Sequence, residues 1–239
     1  MDLLTFDNLA ALVALTSLEI VLGIDNIVFL TILVDRLPKA KQATARFIGL
    51  SLAMIFRILL LLFIKWIMLL TQPLFSVAGI EFSGKSLILF GGGLFLLWKA
   101  TIETHKNLEG EHDAPAVHTN AANLWGVILQ IILIDLVFSL DSVITAVGMV
   151  ESITIMITAI VIAIIVMMAF AGYISRTIEK HPTLKMLALA FLMLVGVLLV
   201  AEGLGKHMER GYLYFAMGFS LFVEVMNIRI RTKKKANTH

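Results

Sequence analysis

The chain has 239 residues, 59% of them hydrophobic, with a mean hydropathy of +0.96 and a formal net charge of +2. Soluble domains are about 45–50% apolar, so this composition excludes an ordinary soluble protein and indicates one that lies in a membrane. The sequence has no cysteine, which excludes disulfides and thiolate metal sites. Its apolar segments are long and continuous, which excludes a barrel of short alternating strands.

Seven segments are apolar and long enough to cross a bilayer as helices, since a crossing needs about 20 residues. The first residues lack the basic region of a secretory signal, so we expect the first segment to be retained. The fold class expected is all-α, a polytopic membrane bundle of seven transmembrane helices. The predicted spans are 7–34, 46–70, 85–102, 123–149, 152–175, 184–205 and 211–228.

Lysine and arginine indicate how the bundle is oriented. They gather after the first, third and fifth spans and in the tail, so that 14 of the 19 basic residues fall on one side. Basic residues favour the cytoplasmic face of a membrane. We therefore predict that the N-terminus lies outside and the C-terminus in the cytoplasm.

The sequence contains an internal repeat. Residues 19–28 and 135–144 share one pattern at an offset of 116: acid, aliphatic, valine, large apolar, small, aliphatic, aspartate, small polar, then two β-branched residues. A weaker match joins residues 93–99 to 196–202. Three helices cross the membrane an odd number of times, so the second copy enters from the opposite side, as in transporters with inverted repeats. The expected divisions are a first three-helix repeat at 1–103, a cytoplasmic polar loop at 104–122, a second, inverted three-helix repeat at 123–207, and the seventh helix with a basic cytoplasmic tail at 208–239.

Four acids lie deep inside apolar spans: Glu19, Asp25, Asp135 and Asp141. A charged side chain at the centre of a spanning helix costs about 2.5–3.5 kcal/mol on insertion scales, so each acid needs a compensating cation or proton. Six residues along a helix correspond to ~9 Å of rise. The two motif helices run in opposite directions, so we expect Glu19 level with Asp141 and Asp25 level with Asp135, at the midplane between the first and fourth helices.

The deep residues offer oxygen ligands. Asn26 and Ser142 follow the second acid of each motif and can add neutral oxygens, while Gly23 and Ser139 allow close helix approach or local unwinding. Oxygen ligands suit Mg²⁺, Ca²⁺ and Mn²⁺. These residues do not distinguish among the three metals.

Arg57 lies within the second span and allows two interpretations. It is either a counter-ion that the acidic site releases when metal arrives, or a fixed structural partner of an acid. An alternative for the acids themselves is that they only stabilise helix packing, although one arginine cannot balance four carboxylates.

The cytoplasmic loop and its flank carry three histidines, His105, His112 and His118. One hypothesis is a loop that collects metal for the site. The other, which we favour, is a solvated linker, because no spacing there matches a closed metal site.

The stretches 19–26 and 135–142 resemble the paired motifs of the TerC family, named for tellurium resistance and placed in the lysine-exporter superfamily of 3+3 bundles. The resemblance covers about residues 7–228. It implies a seven-helix protein of the bacterial inner (plasma) membrane, with Mn²⁺ efflux and in some members tellurite resistance or metal supply to exported enzymes. The second copy departs from the first in having Ser139 in place of Gly23. The metal ligands that the resemblance implies are Glu19, Asp25, Asn26, Asp135, Asp141 and Ser142.

The expected function is divalent metal cation transport, with Mn²⁺ efflux from the cytoplasm and proton antiport, since ligands release protons when they bind metal. The alternative is a membrane-protein assembly or metal-supply factor without transport of its own. Two membrane aspartates would also suit an aspartyl protease, but the chain lacks a Gly-x-Gly-Asp sequence and carries four acids. We expect no enzyme activity, no cofactor and no nucleic-acid partner, with the lipid bilayer, the metal and protons as partners and the oligomeric state left open.

Overall fold

The computed structural model of the chain describes residues 5–77, 79–109, 123–150, 152–206 and 209–236. Side chains are described for all of these except Ile24, Asp25, Asp141, Arg210 and residues 231–236. In chain order the described elements are α1 (Phe6–Val34), α2 (Lys39–Leu62), α3 (Ile64–Leu69), β1 (Pro73–Val77), β2 (Ile80–Ser83), α4 (Gly84–Leu108), α5 (Leu124–Met149), α6 (Ile153–Lys180), α7 (Pro182–Gly203) and α8 (Arg210–Ala236).

Seven of these helices, all but α3, are long and apolar enough to cross a membrane, within the part of the chain that the structure describes. This confirms the predicted class, an all-α bundle with seven spans. Their outward surfaces carry large apolar side chains, including Trp98 of α4 and Trp125 of α5, as lipid-facing helices require.

The second predicted span, 46–70, was wrong in its bounds. Its helix α2 already begins at Lys39 and ends at Leu62, and α3 follows as a separate short helix. Phe63 separates the two helices with φ −91° and ψ 22°. The residues on both sides of this break are apolar, so hydropathy alone predicts one continuous span.

A β-hairpin connects α3 to α4, where the sequence indicated only a connection. Its strands are antiparallel, with Phe75 opposite Phe82 and the two rings stacked 5.4 Å apart. Gly79 lies in the turn with φ +81°, a conformation that other residues rarely adopt. Ser83 ends the hairpin and caps α4, because its side chain accepts a hydrogen bond from the Ser86 N–H at 3.1 Å.

The spanning helices pack in cross-pairs. α1 packs on α6, α2 on α5 and α4 on α7, while α1 and α5 also touch each other. Exchanging residues 1–103 with 123–207 would interchange the first two pairs and leave the third in place. The packing is therefore compatible with the inverted repeat, which stays a prediction. α8 packs mainly on α7, at the edge of the bundle.

Helices α4 and α7 approach each other closely at two glycines. A Cβ atom on Gly93 would lie 2.8 Å from the Gly196 carbonyl oxygen, and one on Gly196 would lie 3.2 Å from the Gly93 carbonyl oxygen. Absence of a side chain at both positions is what lets the two backbones meet. These are the two glycines that the weaker sequence match aligned.

Candidate cation site

A buried ion-pair network joins α1, α2 and α5 inside the bundle. Arg57 is 2% exposed, Glu19 2% and Asp135 7%. The Arg57 guanidinium donates through Nη1 to Glu19 Oε2, and it reaches Asp135 with two nitrogens, Nη2 to Oδ1 at 2.8 Å and Nε to Oδ2 at 3.2 Å. Such a two-pronged contact is the strongest geometry available to an arginine and a carboxylate. Arg57 therefore pairs with two of the four predicted acids.

Asp135 accepts two further hydrogen bonds. Asn26 Nδ2 donates to its Oδ1 at 2.9 Å, and Ser139 Oγ donates to its Oδ2 at 3.1 Å. Asn26 is 8% exposed, and its side-chain oxygen Oδ1 has no hydrogen-bond partner among the described residues. A buried amide oxygen without a donor is costly. The network thus contains an oxygen that is free to accept a cation.

Ser142 occupies the corresponding place beside Glu19. It is buried, its hydroxyl donates to the Ser139 carbonyl oxygen at 3.4 Å, and it lies near the Glu19 carboxylate. The offset of 116 residues that aligns the motifs carries Glu19 to Asp135 and Asn26 to Ser142. The predicted repeat therefore maps the Glu19–Ser142 pair onto the Asp135–Asn26 pair.

Helix periodicity explains why these side chains meet. Glu19 and Asn26 are seven residues apart, as are Asp135 and Ser142. Seven residues are about two helical turns, so each pair projects from one face of its helix. The adjacent helices α1 and α5 turn these faces toward each other, and both helices continue unbroken through Gly23 and Ser139. Local unwinding, one of the two roles considered for Gly23 and Ser139, is absent there.

Two of the predicted ligands lie outside the described side chains. Asp25 and Asp141 fall within α1 and α5, but their side chains are among those left undescribed. Among the described residues, no group of three or more His, Asp or Glu side chains is close enough to hold a metal ion. The predicted pairing of levels, Glu19 with Asp141 and Asp25 with Asp135, therefore stays a prediction.

Two small cavities flank the network. One, of about 20 Å³, is lined by Arg57 and Ser142 together with α7 and α8. The other, of about 10 Å³, is lined by Asn26 and Asp135 together with residues from the last two turns of α1. Each has room for about one water molecule. Arg57 lines the first cavity and its partner Asp135 lines the second, so both cavities border the ion-pair network.

Tyr214 is a site residue that the sequence analysis missed. This tyrosine of α8 lines the cavity beside Arg57 and Ser142. No signal pointed to it, because α8 lies outside the repeat and a tyrosine in an apolar helix is usually a membrane-interface residue.

A second set of polar contacts ties helix ends together at the face where α1 ends. Lys185 Nζ lies 2.7 Å from Asp35 Oδ2, and Arg36 pairs with Glu103. Arg46 Nη1 donates to Ser175 Oγ at 3.1 Å. The contacts to Lys185 and Ser175 join residues of the first predicted repeat to residues of the second.

The histidine loop is described only at its start. His105 lies in α4 with Nε2 3.2 Å from Glu109 Oε2, and both side chains are exposed. His112 and His118 lie outside the described residues. The metal-collecting hypothesis therefore stays a prediction.

Seven apolar helices around a buried arginine and its two acids define a polytopic integral membrane protein with a charged site inside its bundle. Residues 4–239 match the model of the "Integral membrane protein TerC family", and the chain belongs to this family. It is 52% identical over 225 residues to a "UPF0053 protein" of Haemophilus influenzae, covering 94% of this chain and 95% of that one.

Two relatives from Escherichia coli K12 are named inner membrane proteins. YgdQ is 51% identical, covering 94% of this chain and 93% of its own. YoaE is 50% identical and covers 91% of this chain, but the match spans only 42% of YoaE. No solved structure matches the chain.

Proposed function

We propose that the protein exports a divalent metal cation, Mn²⁺, from the cytoplasm across the bacterial inner membrane, through the site between α1 and α5. The observation that carries this proposal is the fully buried network of Arg57, Glu19 and Asp135, at a depth where ionisable groups are rare and functional. Membership of a family linked to metal and ion transport supports it.

The ligands offered to the metal are oxygens. The network itself contains the Glu19 and Asp135 carboxylates, and the Ser142 hydroxyl lies beside them. The unpaired Oδ1 of Asn26 adds a neutral ligand. From the sequence, Asp25 and Asp141 complete the set. Carboxylate, amide and hydroxyl oxygens suit hard divalent cations such as Mn²⁺.

Arg57 acts in this proposal as a tethered counter-cation. In the absence of metal its guanidinium neutralises the Glu19 and Asp135 carboxylates, which would otherwise be buried without a partner. A divalent cation between the same carboxylates repels the guanidinium at short range. Metal entry therefore moves Arg57 away, and metal release lets it return.

Proton antiport completes the cycle. The chain places four acids against one arginine at this depth, so Arg57 alone cannot neutralise the empty site. Carboxylates must be deprotonated to bind a metal, so loading of Mn²⁺ releases protons. We expect protons to enter as the metal leaves.

Flux into proteoliposomes tests the transport proposal. Purified wild type in pure lipid should move Mn²⁺ down its gradient, measured by quenching of a trapped metal-sensitive dye. Asp25→Asn, Asp135→Asn and Asp141→Asn should each abolish the flux, whereas Glu81→Gln on the exposed hairpin should leave it unchanged. Wild-type vesicles no more permeable to Mn²⁺ than protein-free vesicles would favour the assembly or metal-supply factor instead.

Proton coupling needs a separate measurement. An imposed pH gradient across the same vesicles should drive Mn²⁺ against its own gradient, and the drive should vanish when a protonophore is added. Flux that ignores the pH gradient would refute antiport while leaving transport intact.

A further inference from the structure

We propose that two polar contacts between the predicted repeats form a gate, which closes the buried site at the face of the bundle where α1 ends. The gate consists of the Asp35–Lys185 and Arg46–Ser175 contacts. This inference rests on the proposed transport of a cation through the site. It assigns to these four side chains the control of access to the site, and not a place among the ligands.

Each contact joins one helix of the first repeat to one helix of the second. Lys185 Nζ of α7 lies 2.7 Å from Oδ2 of Asp35, the residue that caps the end of α1. Arg46 Nη1 of α2 donates to Ser175 Oγ of α6 at 3.1 Å, and Ser175 is 1% exposed. The Ser175 hydroxyl donates in turn to Glu179 Oε1 at 3.2 Å. A movement of one repeat against the other therefore has to break both contacts.

Helix geometry places both contacts beyond the same end of the small cavity beside Asp135. Leu30 of α1 and Leu50 of α2 line that cavity. Asp35 follows Leu30 by five residues, which corresponds to ~7.5 Å along α1. Arg46 precedes Leu50 by four residues, which corresponds to ~6 Å along α2. The contacts thus lie between the cavity and the end of the bundle.

The way from this end of the bundle to the cavity is closed by packing. Leu33 and Val34 lie between Leu30 and Asp35 in α1 and are 1% and 0% exposed. A packed apolar constriction excludes water and ions until its walls separate. In transporters with inverted repeats the walls separate when one repeat rocks against the other. The two contacts oppose that movement, and the predicted orientation places them at the cytoplasmic face, where the metal would load.

Cysteine labelling tests the gate, because the chain contains no cysteine of its own. Ala53→Cys places a single thiol in the wall of the cavity. A charged, membrane-impermeant methanethiosulfonate applied at the face where α1 ends should label this thiol slowly. Adding Lys185→Gln should speed labelling by roughly fivefold to tenfold, the shift in open population expected when a partly buried ion pair is lost. The charge swap of Asp35→Lys with Lys185→Asp should make labelling slow again.

Glu103→Gln is the matched control. It breaks the ion pair between Arg36 and Glu103 at the same face, but both residues belong to the first repeat, so labelling should stay slow. Thermal unfolding of each variant verifies that it is folded. Labelling that Glu103→Gln speeds as much as Lys185→Gln does, or that the charge swap fails to slow, would show that the contacts only stabilise the fold and would overturn the gate. Equal acceleration with the reagent at the opposite face would overturn it as well.

The outcomes separate this inference from the proposed function, because labelling needs no metal. If Lys185→Gln leaves labelling unchanged in a protein that moves Mn²⁺, the gate is refuted and transport stands. If Lys185→Gln speeds labelling in a protein that moves no Mn²⁺, the contacts control access to the buried site and the proposed cargo is refuted.

Discussion

The two halves of the molecule carry the same motif but not the same charge. α1 and α5 each bring one buried acid and one small polar residue to the site, Glu19 with Asn26 and Asp135 with Ser142. Among the described residues, only the first half adds a base to the site, Arg57 of α2. An offset of 114 residues carries each buried residue of α2 onto a buried residue of α6, the corresponding helix of the second half. The same offset carries Arg57 to Ala171, so the second half has an alanine at the matching position.

Some parts of the site are therefore present in both halves, and one part is present in the first half alone. The oxygens that we propose as ligands come in pairs that the predicted repeat would exchange, whereas Arg57 is single and so cannot be exchanged. A single guanidinium can pair with both Glu19 and Asp135 only if it extends from one half of the molecule to the acid of the other half. Arg57 does so unequally, with two nitrogens on Asp135 and one on Glu19.

The largest effect is expected from removing the better-bonded acid. Asp135→Asn and Glu19→Gln each delete one negative charge, so the difference between them reports hydrogen bonding. Asp135 accepts from Arg57 twice and from Asn26 and Ser139 once each. Its loss should cost about 3–5 kcal/mol, as for other broken buried pairs, with Glu19→Gln costing clearly less. Thermal unfolding in detergent measures both, and equal losses would mean that the unequal contacts of Arg57 have no energetic consequence.

Moving the arginine to the other half should recover part of what its deletion removes. Arg57→Ala leaves two buried carboxylates without a cation and should lower the unfolding midpoint strongly. If the predicted repeat relates the two halves, adding Ala171→Arg places a guanidinium from α6 near the same two acids. The unfolding midpoint should then rise again.

Ala163→Arg in the Arg57→Ala background is the matched control for that experiment. Ala163 lies on the same buried face of α6, about two turns before Ala171. This second variant should stabilise nothing, since its guanidinium enters at the wrong level. If the unfolding midpoint rises with both Ala171→Arg and Ala163→Arg, or with neither, the result would contradict the predicted exchange of the two halves at the site.

The motif residues were accessible to sequence reasoning because their signal is strong. Acids inside apolar spans are costly, and their recurrence at a fixed offset is enough to identify Glu19 and Asp135 as site residues. Arg57 does not recur, but it is also a charged residue inside an apolar span, which identifies it as a partner for an acid. That it reaches both halves at once could not be predicted, because the choice depends on the rotation of α2 about its own axis.

Other features had little or no sequence signal. The break at Phe63 lies in a continuous apolar stretch, and hydropathy does not distinguish one helix from two. Tyr214 lies outside the repeat, so no second copy draws attention to it. The Gly93–Gly196 crossing was only a weak alignment, and its physical meaning came from the backbone contact between α4 and α7.

That crossing gives the smallest predicted effect and the cleanest control. The halves meet where Gly93 faces Gly196, and a Cβ on Gly93 would press on the Gly196 carbonyl and the Val200 amide, both at 2.8 Å. These are backbone atoms that cannot move aside, so Gly93→Ala should destabilise the bundle by about 1–3 kcal/mol. Gly91, in the same glycine run, has open space where a methyl group would lie, with no neighbouring atom within 4 Å, so Gly91→Ala should be neutral or, through helix propensity, stabilise by up to about 1 kcal/mol. If thermal unfolding shows the two alanines to be equivalent, α4 and α7 do not meet at Gly93.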